Sequence, residues 1–382
     1  MRSALIPTLI LATLLAAGCG GSSRDAEDPW QVIELGTDAD FRDIHFTSAD
    51  NGWMVGAVGI RVPGGIVART RDGGLTWEYQ TGVIPKRSGT HTIDMNAVHF
   101  LDETRGVIAA EAGTILNTGD GGETWKRVPP TGPVYARNRD IDFVGMADGW
   151  IIGRQGVLRT EDAGASWKRI DEDNGSSGNA VGWALDMVDA QRGWMVGKHG
   201  LVVRTDDGGY TWEDVPALGD LDGLSGDEKP FMRSVHFVDR DHGWAAGSWQ
   251  EWDDTDPLDP KTTSWAVIIA TTDGGKTWRR QVEEVESHLT AIRFADTERG
   301  WATGYNRNDG TSVILATEDG GKSWKVSKTV YGEELLAIEV RDGRVWVVGD
   351  RVREEPQRLF RLVFEKPAEG LLGDLDGISE SE

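Results

Sequence analysis

One eight-residue phrase recurs six times along the chain, and it restricts the possible folds more than any other feature. The first copy is Thr70-Arg71-Asp72-Gly73-Gly74-Leu75-Thr76-Trp77, and the others centre on Asp120, Asp162, Asp207, Asp273 and Asp319. Each copy ends in a tryptophan five residues after its aspartate: Trp77, Trp125, Trp167, Trp212, Trp278 and Trp324. Successive aspartates stand 48, 42, 45, 66 and 46 residues apart. A length of 382 residues would allow two or three separate domains, but self-similarity at this period indicates an array of equivalent units instead.

A second phrase, Gly-Trp followed by a small or apolar run and a glycine, precedes most of the boxes. It stands at Gly52-Trp53, Gly149-Trp150, Gly193-Trp194, Gly243-Trp244 and Gly300-Trp301, with a degraded copy at Gly106-Val107 and a seventh at Val345-Trp346. One full unit reads Ala291–Phe294, Gly300–Gly304, Val313–Thr317, the box, then Trp324–Val326. These are short β-rich runs bounded by Gly and Asp, and we label them strands a, b, c and d. Four strands in about 45 residues make one blade of a propeller. Seven a–b pairs against six boxes predict a seven-bladed, all-β propeller. The missing d strand is supplied by the N-terminal segment 30–35, pairing with a last c strand near 358–364. That pairing closes the ring and leaves no unpaired terminal edge.

The box has a physical logic. Its Asp can accept hydrogen bonds from turn N–H groups and from the Thr or Ser hydroxyl. The first Gly is replaced by Ala163 in one copy, whereas the second is Gly in all six, which predicts positive φ at that site. Six near-identical aspartates are read as structural, and each box Trp is expected in the crevice beside the neighbouring blade.

The chain carries 63 Asp plus Glu against 40 Lys plus Arg, a formal net charge of -23. Phosphate backbones would repel it, which argues against a nucleic-acid partner. Cys19 is the single cysteine, so no intramolecular disulfide can form. Arg2 followed by the apolar stretch Leu5–Ala17 reads as a signal peptide, 1–18, too short for a stable transmembrane helix. Leu15-Ala16-Ala17-Gly18-Cys19 resembles a lipobox, so Cys19 is expected to carry lipid, with 19–29 as a flexible tether. Residues 30–366 form the propeller, and the acidic segment 367–382 is expected to be disordered. The expected location is outside the cytoplasm, anchored at a bacterial membrane on the periplasmic side or at the cell surface.

The box together with the Gly-Trp phrase resembles the photosystem II assembly and stability factor family of plants and cyanobacteria, across nearly all of residues 30–365. The resemblance implies a seven-bladed propeller beside a photosynthetic membrane and a non-enzymatic scaffold that binds a membrane-protein assembly intermediate. Cyanobacterial members can be lipoproteins. Asp boxes also occur in sialidases, other glycosidases and sortilin-type receptors, so a carbohydrate-active or lectin-like propeller is the alternative.

Strand order assigns the connections to faces. The a–b turns and the boxes share one face, where they are short and uniform. The b–c and d–a connections share the other, with every long insertion: about 57–65, 79–95, 214–232, 248–264, 304–312 and 350–357. Regular turns on one face and long loops on the other point to a binding surface on the long-loop face. In the insertion 248–264, Trp249, Glu251, Trp252, Asp253 and Asp254 form the candidate binding loop. Its aromatics could anchor a protein or stack on a sugar, or fold back onto the blade. Glu251, Asp253, Asp254 and Asp142 are the carboxylates available for acid–base work, but nothing singles out a pair. A sialidase-like site would need three arginines converging on the funnel and an early Arg-Ile-Pro phrase, and that phrase is absent. No catalytic residue is therefore assigned, and the chain is read as a non-enzyme.

No cofactor is called for. Two Asp-x-Asp-Gly segments, Gly219–Ser225 and Gly373–Ser379, match only part of a calcium loop, and no metal-ligand spacing is evident. His45, His99 and His236 occupy comparable strand-a positions, as residues packed near the channel or core would. The expected partner is a membrane or envelope protein, with a glycan as the alternative ligand.

Overall fold

The computed structural model describes residues 28–364, apart from 59–64, 85–92, 132–136, 155, 171–181, 218–228, 254–260, 283–284 and 352–356. The leader, Cys19, the tether up to residue 27, the acidic tail, both Asp-x-Asp-Gly segments and Asp254 lie outside the described residues.

Seven four-stranded antiparallel sheets follow one another along the chain. The innermost strands are Ala39–Phe46, Met95–Phe100, Asn138–Val144, Gly182–Met187, Phe231–Phe237, His288–Phe294 and Glu333–Arg341. Each neighbours the innermost strands before and after it, and the last neighbours the first, so the sheets form a closed ring around a channel. The seventh sheet consists of Glu333–Arg341, Arg344–Arg351, Arg358–Val363 and, as its outermost strand, Gln31–Glu34. The closing register runs from Gln31 opposite Arg361 to Glu34 opposite Arg358. Trp30 locks this seam: it is buried, and its indole N–H donates to Ser327 Oγ at 2.8 Å.

Aromatic sandwiches hold the sheets together. At or next to its end each innermost strand carries an apolar residue: Phe in five blades, Met187 in the fourth and Val340 in the seventh. The Gly-Trp indole of the preceding blade stacks flat on the Phe ring, as Trp53 does on Phe100 with 3.6 Å between centroids and 9° between planes. Trp194 on Phe237, Trp244 on Phe294 and Trp346 on Phe46 repeat the contact. The blade's own box Trp meets the same Phe edge-on, as Trp278 meets Phe237 at 5.9 Å and 89°. Both geometries suit the ring quadrupole and add about 0.5–1.5 kcal/mol per pair beyond area burial. The glycine of Gly-Trp now has its reason. A Cβ on Gly243 would lie 2.4 Å from the Phe237 ring, and one on Gly52 would lie 2.5 Å from Phe46.

The sandwich refines the expectation for the box tryptophans. They do lie at the blade interface, but the wedge from one blade into the next is the Gly-Trp indole. Its N–H reaches the next blade's box: Trp53 to Gly121 O, Trp150 to Gly208 O, Trp244 to Gly320 O and Trp346 to Gly73 O, at 2.8–3.1 Å.

Candidate functional site

The box face is closed chemistry. In the first box, Thr70 Oγ1 donates to Asp72 Oδ1 (2.8 Å) and accepts from Gly74 N–H (2.9 Å). Thr76 N–H donates to Asp72 Oδ1 (2.9 Å) and its hydroxyl to Oδ2 (2.6 Å). The same bonds recur in the boxes of Asp120, Asp162, Asp207, Asp273 and Asp319. The hydroxyl and amide donors at Thr124 hold the Asp120 carboxyl down to about 2, and Asp273 also stands near 2 despite some burial. Each turn is tied to the a–b turn of its own blade, as Gly73 N–H is to Asp50 O (2.9 Å) and Gly274 N–H to Asp241 O (3.0 Å). The shared face read from strand order is thus bonded together.

The second box glycine has φ between +74 and +92 in all six copies, as expected. The first position is left-handed as well, which the sequence reading did not anticipate. There Ala163 sits at φ 60, inside the small well open to L-residues. The second position is the more crowded one: Gly74, Gly122, Gly209 and Gly275 lie against an indole of the preceding blade. A Cβ on Gly275 would be 2.3 Å from Trp194 Nε1.

The channel wall is built differently. Every innermost strand is an edge strand, and its free amides need partners. The preceding blade supplies them. Asp43 accepts from Val98 N–H (2.8 Å), Asp140 from Leu185 (2.9 Å), Asp142 from Met187 (2.8 Å) and Asp186 from Phe237 (2.6 Å). His236 Nδ1 accepts from Phe294 N–H (3.2 Å), and His45 Nε2 meets Phe100 O at 3.1 Å. His45 and His99 stack at 4.4 Å. The three histidines therefore share one layer of the channel. Asp142, an available carboxylate in the sequence reading, is a staple between the third and fourth blades. Burial pushes Asp43 and Asp186 up to about 7, and drives His99 and His236 down to about 3.

One turn nearer the long-loop face, every innermost strand carries a β-bulge. The skipped residues are Arg42, Asn96, Arg139, Trp183, Arg233, Thr290 and Leu336, and all seven line a cavity of about 330 Å³ at the channel mouth. A bulge re-aims a side chain without breaking the sheet, and here it does so seven times around one axis. The ring is uneven. Arg42 is neutralised by Asp94 (2.7 Å) and bonded to Asn96 (2.8 Å). Across the mouth, Arg139 lies 4.1 Å and Arg233 4.9 Å from the centroid of Trp183. Among the described residues, neither has a carboxylate in ion-pair range. Burial, then the charges of Arg137, Arg154 and Arg233, pulls the Arg139 guanidinium down to about 10. Two cations flank an indole without an ion-paired carboxylate among the described residues, which suits an anionic or carbonyl-rich ligand with an apolar portion.

The insertion read as a loop is a β-hairpin. Strand b of the fifth blade runs Gly243–Asp253 and strand c Lys261–Thr271, eleven residues each. Trp249 is half-buried against the cluster shared with the fourth blade, and exposed Glu251 accepts the Trp265 indole N–H at 2.9 Å. The side chains of Trp252 and Asp253 fall outside the described residues. Converging arginines, one sign of a carbohydrate-active funnel, are present at the mouth. The carboxylates beside them, Asp43 and Asp140, are each bonded to two backbone amides. Arg139, Trp183 and Arg233 escaped the sequence reading. They become visible when the innermost strands are aligned as Phe41-Arg42-Asp43-Ile44, Gly182-Trp183-Ala184-Leu185 and Met232-Arg233-Ser234-Val235, whose second column breaks the apolar alternation.

The family model for photosynthesis system II assembly factor YCF48 matches residues 22–133 and 131–227. This chain belongs to that family. The photosystem II assembly lipoprotein Ycf48 of Prochlorococcus marinus (strain MIT 9312) is 32% identical over 345 residues, covering 76% of this chain and 91% of that protein. The Ycf48 of Synechococcus sp. (strain CC9902) is 26% identical over 199 residues, covering 50% of this chain, so the match spans about half that relative's length (55%). A solved structure, YCF48 bound to D1 peptide, shares the fold with a TM-score of 0.63 at 20% identity, covering 89% of this chain and 98% of that one. These relatives carry the names of assembly factors, not of enzymes.

Proposed function

We propose that this protein is a non-enzymatic scaffold that grips a segment of a membrane-protein assembly intermediate at the arginine-lined channel mouth. In this reading, lipid on Cys19 holds the propeller at a membrane outside the cytoplasm. The observation behind the proposal is the pair of guanidiniums on Trp183 that have no ion-pair partner among the described residues, in a chain of net charge -23. Such a patch attracts a carboxylate-bearing segment while the rest of the surface repels other acidic chains. The peptide in the relative's structure, a D1 peptide, gives a concrete first ligand.

The test is calorimetric titration of D1-derived peptides into the full chain, with Arg139→Glu/Arg233→Glu as the variant. Affinity should fall at least tenfold in the variant and weaken with salt, while the unfolding midpoint stays within a few degrees of the parent. Equal affinity in the variant would remove the mouth from the account. The converging arginines also keep the glycan reading alive. A glycan array with reproducible hits that the variant abolishes, alongside no peptide binding, would replace the scaffold by a lectin-like propeller. Lipidation is tested separately, by mass of the mature N-terminus in parent and Cys19→Ser chains.

A further inference from the structure

Beside the mouth, between the fifth and sixth blades, lies a second and smaller cavity of about 140 Å³. We infer that this cleft is a separate site for a compact oxyanion, a carboxylate or a phosphate. Its walls bring together three cations, Lys229, Arg233 and Arg307. Among the described residues, no carboxylate lies in ion-pair range of any of them. Arg307 is positioned by a bond from its Nη2 to the Tyr305 hydroxyl at 2.8 Å, which leaves its remaining N–H groups for a ligand.

The polar partners come from the lengthened hairpin of the fifth blade. Ser248 and Gln250 stand on strand b and Ser264 on strand c, and all three line the cleft. Side chains alternate along a strand, so Trp249 and Glu251 face the other way. The hairpin that the sequence marks as unusual therefore contributes through the residues between those that first draw the eye. In the fourth blade the corresponding b strand is only Gly193–Gly197, which ends before an equivalent of Ser248.

His288, which lines the cleft, carries an unsatisfied buried atom. His288 is 7% exposed, and its Nε2 has no hydrogen-bond partner among the described residues. Its Nδ1 is bonded to Ser248 Oγ at 2.5 Å. Burial, then the charges of Arg233 and Arg307, hold the ring neutral down to about pH 3. A neutral imidazole carries one N–H. In the tautomer where the Ser248 hydroxyl donates to Nδ1, that proton sits on Nε2, a buried donor with no acceptor among the described residues. An oxyanion in the cleft would satisfy the three charges and meet the hydroxyl of Ser248, which is itself bonded to His288. The site does not depend on which macromolecule occupies the mouth, although Arg233 borders both.

The test uses the full chain at low ionic strength, titrated with inorganic phosphate and with acetate by calorimetry, with chloride as the control anion. Two variants separate the sites: Arg307→Gln touches only the cleft, and Arg139→Gln only the mouth. Phosphate or acetate should bind the parent, lose at least tenfold in affinity in Arg307→Gln, and change less than twofold in Arg139→Gln. In parallel, the ¹⁵N resonance of His288 Nε2 should shift on phosphate addition, a readout that a purely structural role for Arg307 would not move. Competition between phosphate and a carboxylate-bearing peptide would assign the natural oxyanion to the bound segment, and absence of competition would assign it to a free anion. The inference is overturned if neither anion binds above the chloride control, or if Arg139→Gln removes binding while Arg307→Gln does not.

Discussion

The box rim and the channel mouth are both made by repetition, yet they have diverged in opposite ways. On the rim, six turns keep the same Thr–Asp–Gly–Thr/Ser bonding, and each carboxylate is saturated by donors of its own turn. At the mouth, seven equivalent bulges carry Arg42, Asn96, Arg139, Trp183, Arg233, Thr290 and Leu336, all different in size or charge except the arginines. Positions that serve the fold must be alike in every blade, because every blade solves the same packing problem. Positions that serve a ligand need not be, because one ligand meets seven blades only once. On the proposed reading, departure from the repeat marks function within a single chain. The aspartates make the same point electrostatically: solvent-facing box aspartates are pulled down by their donors, and channel aspartates are pushed up by burial.

The largest effect should come from the sandwich that both regions rely on. Phe237→Ala removes the ring between Trp194 and Trp278 and should cost about 3–5 kcal/mol. Leu336→Ala, at a partly exposed mouth position, should stay within about 1 kcal/mol. Chemical denaturation of the two variants would break the comparison if the costs were similar.

A pH series sharpens it next. Asp43 and Asp186 stand near 7 when folded against 3.8 as the unperturbed value, so the folded state binds extra protons between those limits. Stability from these groups is complete below about pH 4 and is lost as pH rises toward 7, on the order of 1 kcal/mol per pH unit for each. Asp120 and Asp273, near 2 when folded, act in reverse: their contribution is present above about pH 4 and fades as pH falls through 2. His99 and His236, held near 3, pull the opposite way between pH 3 and 6.5. The readout is therefore the difference between parent and Asp43→Asn: the parent's stability relative to the variant should fall as pH rises from 4 to 7. A parent-minus-variant difference that is flat or grows from pH 4 to 7 would contradict the assignment.

A smaller contrast lies inside the box. Gly275→Ala combines a φ of +74 with a clash on the Trp194 indole and should cost roughly 2 kcal/mol. Ala163→Gly, at the first box position, should change stability by less than about 1 kcal/mol. Equal effects would mean that the second glycine is not set by the indole beside it.

Much of the fold is legible because propeller blades advertise themselves. Periodic boxes gave the blade count, and the Trp30 phrase gave the closure, since both obey one local rule repeated in sequence. The mouth was harder to read because a bulge shifts register by one residue. Arg139 and Arg233 then face the channel from positions that simple alternation sends elsewhere. The hairpin 248–264 was visible as an insertion, but its strand register, which separates Ser248 and Gln250 from Trp249 and Glu251, emerges only from the pairing with Thr263–Ala266. The wedge role of the Gly-Trp indoles was equally hidden, because it joins residues far apart in sequence, such as Trp53 and Phe100 or Trp346 and Phe46.

The central claim is that ligand meets the uneven mouth and not the uniform rim. Site-specific photo-crosslinking tests it most directly. A photoreactive side chain is placed at Leu336 in the mouth or at Gln191 on the box face, and each chain is irradiated with the D1-derived peptide. Crosslinks from Leu336 that disappear in the Arg139→Glu/Arg233→Glu background, with none from Gln191, are the predicted result. Crosslinks from Gln191 that persist in that background would contradict the account.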